Sequence, residues 1–60
     1  MTKEALRECL KRIDVPVSDL ALLIGVSVRS LRYWLAGRPI PRATAMVIFA
    51  MAKAMDDAHA

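Results

Sequence analysis

A single glycine, Gly25, divides two short stretches that each carry apolar residues at helical spacing, and nothing else in the chain constrains its fold as tightly. Before it stand Leu20, Ala21 and Ile24; after it stand Val26, Leu31 and Trp34. Ala21 lies four positions ahead of the glycine, where a small side chain lets a following helix cross close over the first. Gly25 suits the positive-φ turn that other residues reach only with strain. Ser27 is placed to cap the new helix by accepting from its free N–H groups. Leu31 and Trp34 are three apart and share an inward face. This spacing is that of a helix-turn-helix. It leaves Val28, Arg29, Arg32 and Tyr33 on the outer face of the second helix of the pair.

The rest of the chain extends this to four helices without a strand, since no alternating apolar and polar run of strand length lies outside a helical pattern. A first helix is predicted over 3–12, capped by Thr2, with Glu4 at the positive end of its dipole and a buried stripe of Leu6, Cys9, Leu10 and Ile13. Asp14, Val15 and Pro16 break it. Helices follow over 17–24 and 28–35, and Gly37 ends the latter in a left-handed conformation. Arg38-Pro39-Ile40-Pro41 is a stiff connection. Pro41 then sits in the first turn of a fourth helix over 41–56, where a missing N–H costs little. In that helix Val47, Met51, Ala54 and Ala58 follow one stripe, widened by Ile48, Ala52 and Met55. Met46, Phe49 and Ala50 make the far side apolar too. A helix apolar nearly all round is buried on more than one side, so one side is expected on the domain and the other, with Met46, Phe49, Ala50 and Lys53, on a second subunit. The tail 57–60 is expected to fray. There is no internal repeat, low-complexity segment or linker.

Sixty residues make one small domain, and a chain this short buries only about 60% of its unfolded surface. Cys9 is the sole cysteine, so no internal disulfide supports the fold, and no Cys/His cluster has zinc spacing. Oligomerisation is the remaining common route to stability, and an apolar fraction of 57% fits it, although an alanine-rich helical core gives the same figure. No signal peptide is read at the N-terminus, and the longest apolar run, 45–52, is far short of a membrane span. A cytoplasmic protein with a reduced Cys9 is therefore expected. The net charge of +3 is unevenly placed. Residues 15–42 carry four arginines against Asp19, whereas 43–60 are net negative. The excess falls on the motif and the loop after it, which suits a phosphate backbone, although +3 is also ordinary for the solubility of a small domain.

With these residues in view, the chain resembles the phage-repressor-like helix-turn-helix proteins, and among them the very small regulators associated with anti-CRISPR operons. The likeness covers 5–53. It rests on Leu-Ala-x-x-x-Gly-Val-Ser at 20–27, on Arg29, on Leu-Arg-Tyr-Trp-Leu at 31–35, and on Arg-Pro-x-Pro at 38–41 ahead of an apolar helix. It implies an all-α, lambda-repressor-like four-helix domain acting as a homodimeric transcriptional repressor of its own operon. One recognition helix per subunit then enters successive major grooves of an inverted-repeat operator in double-stranded DNA, about 34 Å apart. Such proteins usually cap the second helix with serine or threonine, where this chain has Pro16, and can carry basic residues early in that helix, where Val17-Ser18-Asp19 has none. The winged-helix excisionases share Gly-Val-Ser-x-x-x-Leu-x-x-Trp followed by glycine and prolines, but continue into a β-ribbon, which the helical period of 43–55 opposes. An antitoxin-like interaction module is a third reading, with the apolar last helix holding a protein partner.

Within the DNA-binding reading, Arg29 is the candidate for a bidentate contact to guanine O6 and N7, the commonest specific contact, with a phosphate contact or a solvated charge as the alternative. Arg32, one turn on, reaches phosphate or base, or pairs with Asp19. Tyr33 meets a thymine methyl or a phosphate, or packs in part on the core. Val28 touches a thymine methyl or simply begins the helix. Ser27, Ser30, Ser18, Arg38 and Arg42 are phosphate candidates. For Ser27 the capping role comes first, and solvent is the alternative for the two arginines. Trp34 and Cys9 are assigned to the core, the methionines to packing, and His59 to no role. No catalytic set, glycine-rich phosphate loop, cofactor, metal or small-molecule site is read from the sequence.

Overall fold

A computed structural model describes the backbone of residues 1–59 and the side chains of 1–58. It holds four helices: α1 (Lys3–Ile13), α2 (Val17–Ile24), α3 (Val28–Leu35) and α4 (Arg42–His59). The described residues contain no strand, so the all-α four-helix fold class is as expected. Thr2 Oγ1 accepts from the Ala5 N–H at 3.1 Å and opens α1. Asp14 closes it in the left-handed region (φ 56°, ψ 47°), donating its N–H to the Leu10 carbonyl. That conformation costs an ordinary L-residue about 1–2 kcal/mol and is one that aspartate tolerates better than most.

One large side chain from each helix is fully buried: Leu6, Leu20, Leu31 and Ile48. Cys9, Ile13, Ala21 and Ala52 complete the core. α1 packs on α4 and α3, while α2 packs on α3 and more lightly on α4. Ala21 is almost wholly covered, which fits the close helix crossing expected of a small side chain there. Trp34 is only half-buried, lying against this core rather than within it.

α4 departs from expectation in three ways. Pro41 lies just outside the helix, its carbonyl accepting from the Ala45 N–H at 2.9 Å, so Arg42 is the first helical residue. The helix runs on through Asp57 and Ala58 to His59. Met55 still packs on the core there, and Arg12 of α1 reaches Asp56 at 3.4 Å. Ala60, also expected to fray, lies outside the described residues. Lastly, the inward stripe is centred on Ile48 and Ala52, flanked by Met51 and Met55, while Val47, Ala54 and Ala58 are exposed. Each step along a helix turns about 100°, so a stripe centred one position away points well off the core.

Candidate nucleic-acid interface

α2 ends at Gly25 (φ 76°, ψ 31°), and both the Gly25 and Val26 N–H groups return to the Ala21 carbonyl. A methyl added at Gly25 would meet nothing within 4 Å. The glycine is there for its backbone angle and not for space. Ser27 caps α3: its Oγ accepts from the Ser30 N–H at 3.0 Å and donates to Ser30 Oγ at 2.9 Å. Both hydroxyls are thus engaged within the cap, with Ser27 exposed and Ser30 half-buried. At the head of α2, Pro16 supplies no side-chain cap. Ser18 and Asp19 are exposed beside that helix start.

With α3 opened by this cap and Leu31 turned to the core, Arg29, Arg32 and Tyr33 stand on the exposed side. Val28 is half-buried and packs against the core. The ion pairs among the described residues are those of Arg12 with Glu8 (3.9 Å) and with Asp56 (3.4 Å). Arg32 therefore makes no pair with Asp19, and Arg29, Arg32, Arg38 and Arg42 all keep their charge unmatched by a neighbouring carboxylate. The positive excess of 15–42 is a property of the surface as well as of the sequence.

Three features of this region were not read from the sequence. The Arg38 guanidinium lies over the Tyr33 ring, 5.0 Å from its centroid. Arg7 of α1 donates to the Leu35 carbonyl at 3.3 Å, tying the C-terminal end of α3 to α1. Leu22 and Leu23, 83% and 65% exposed, sit side by side on α2, off its inward stripe of Leu20, Ala21 and Ile24. The first had a signal in the sequence: Tyr33 and Arg38 are the two positions that a glycine-terminated helix brings together when Gly37 is its left-handed residue.

Away from α3, an open apolar groove of about 590 Å³ runs between Met1 and Ala5, Ile40, and Arg42, Met46 and Phe49 of α4. Met46 and Phe49 are 66% and 57% exposed along it. Ala50 and Lys53 are exposed on the same helix. Cys9 is buried between α1 and its neighbours, and burial pushes its thiol above the ordinary value. Arg12 opposes this, and the Glu8 and Asp56 carboxylates add to it. No helix among the described residues is long and apolar enough to cross a membrane.

No family model, no curated protein and no solved structure matches this chain.

Proposed function

We propose that this chain is a homodimeric, sequence-specific DNA-binding repressor that reads its operator with α3. The observation that carries the reading is the exposed, unpaired arginine set spread along α3 and the turn after it, on a helix whose other face is fixed by the core. Eight helical residues span about 12 Å, a length that lies within a major groove about 12 Å wide. In this reading Arg29, in the first turn, takes a guanine edge. Arg32 and Tyr33 lie one turn on, and half-buried Val28 offers at most a methyl contact at the helix start. Arg38, Arg42, Ser18 and the Ser30 O–H face the phosphates, while Ser27 keeps its capping role. The second subunit packs on the α4 face of Met46, Phe49, Ala50 and Lys53 and the groove beside it.

Resemblance to small anti-CRISPR-associated regulators extends the proposal to repression of the chain's own operon in a phage or mobile element. A mobility-shift titration tests this with the duplex lying immediately upstream of the coding sequence against a scrambled duplex of equal composition. The expected result is a complex on the upstream duplex that survives salt able to strip the scrambled one. Equal affinity for both, or no complex with either, overturns it.

A winged-helix architecture of the excisionase kind finds no support, because α4 occupies the segment where its β-ribbon would run. An antitoxin-like interaction module would use the same apolar face of α4, where Met46, Val47 and Phe49 are exposed. Light scattering on the purified chain separates the two: a dimer favours the repressor, and a monomer or aggregate rescued by a partner favours the module.

A further inference from the structure

We propose that Tyr33 is a positioning residue. Its ring holds Arg38 against the reading face of α3, and the left-handed turn at Gly37 makes this possible. The proposal rests on the DNA-binding reading above and deepens it.

The end of α3 is closed by two backbone bonds. The Gly37 N–H donates to the Trp34 carbonyl at 3.1 Å, and the Arg38 N–H donates to the Tyr33 carbonyl at 3.1 Å. This is the Schellman arrangement, which commonly brings an apolar pair together at the two positions held here by Tyr33 and Arg38. In this chain the pair is an aromatic ring and a guanidinium, 5.0 Å apart. Gly37 reaches φ 111°, and a methyl there would meet only Lys3 Cδ at 3.7 Å, an ordinary contact. The glycine is thus required by the backbone angle that turns Arg38 back over the helix, and not by crowding.

The consequence follows from the shape of the two groups. A guanidinium carries five N–H donors, and a cation–π contact with one ring leaves those turned away from the ring free. Such donors can take two phosphate oxygens at once. Among the described residues Arg38 has no carboxylate partner to compete for them. Tyr33 lies four residues after Arg29 on the same side of α3, so the stack places a phosphate-binding group at one end of the row that begins with the base-reading candidate. The ring face engaged by Arg38 is then closed to a thymine methyl, and Tyr33 acts on DNA through Arg38.

Two measurements test this. In NMR spectra of the free protein, the Arg38 side-chain methylenes are expected to be shifted upfield by the ring. Tyr33→Leu abolishes that shift, Tyr33→Phe restores it, and Gly37→Ala weakens it. In titrations with a random-sequence duplex, Tyr33→Leu is expected to lose about two- to fivefold in affinity, the range of an exposed cation–π contact, and Tyr33→Phe to recover it. Tyr33→Leu combined with Arg38→Ala is expected to bind no more weakly than Arg38→Ala alone. Losses that add in the double variant, or an Arg38 without the upfield shift, overturn the positioning role while leaving DNA binding standing. A parent protein that shows the shift and binds no duplex overturns the DNA-binding reading, and the positioning role falls with it.

Discussion

Arg29 and Arg42 are both exposed arginines, and the proposed repressor gives them different work. Arg29 lies in the first turn of α3, from which it would reach base edges in the proposed complex; Arg42 opens α4 beside the proline turn. Arg29→Ala should therefore cost about 1–3 kcal/mol on the cognate site and relax discrimination at one base position. Arg42→Ala should weaken every sequence alike and lower the salt slope by about one. Competition mobility shifts at two salt concentrations check both. Cys9 gives a prediction of another kind. Burial raises its thiol above the ordinary value in the folded chain, so the unfolded chain loses the proton first as pH rises. The stabilising contribution is complete below the ordinary thiol value and declines as pH climbs through it toward the folded value. Denaturant melts from neutral to alkaline pH should show this loss, and Cys9→Ala should make the slope shallower.

The helical elements differ in how far local chemistry specifies them. The bounds of α2 and α3 are legible in the sequence because their stops and starts are local: Gly25 for a left-handed angle, Ser27 for a cap, Gly37 for the closing turn. The outward placing of Arg29, Arg32 and Tyr33 follows from the same register. α4 is different. Its residues are apolar on nearly every side, so periodicity fixes that it is a helix without fixing which side faces in. Its burial is decided by how α4 lies against α1 and α2, which turns Ile48 inward and is a property of packing. The Arg38–Tyr33 stack escapes a helix-by-helix reading because it joins a helix to the loop beyond it, and Leu22 and Leu23 escape a reading that asks only which residues face inward. The phase of α4 is testable two residues apart. Ala52→Gln, at a site 1% exposed, should destabilise by about 1–3 kcal/mol through overpacking. Ala54→Gln, at an exposed site, should stay within about 0.5 kcal/mol. Urea melts that rank the pair the other way would place the 47, 51, 54, 58 stripe inward instead.

At the scale of the molecule, four fully buried large side chains among the described residues make a small core, and the domain leaves apolar surface on α4 that a second copy can cover. A standard interface takes about 800 Å² from each partner, against a total surface of 4265 Å² here. A dimer through α4, as proposed, would have to cover that face broadly rather than at a point. Phe49→Glu should convert a dimer to a monomer by light scattering, and should cost more affinity on a two-half-site duplex than on a single half-site. In the proposed dimer, two copies of a short reading face give the site its length and its symmetry. The direct measurement is selection of bound DNA from a random duplex pool by the intact chain. A dimeric repressor is expected to enrich an inverted repeat with half-site centres about 10–10.5 base pairs apart, and to lose preference at one symmetric base position with Arg29→Ala. A pool that emerges without enriched sequence, or with an asymmetric single site, would contradict the proposal.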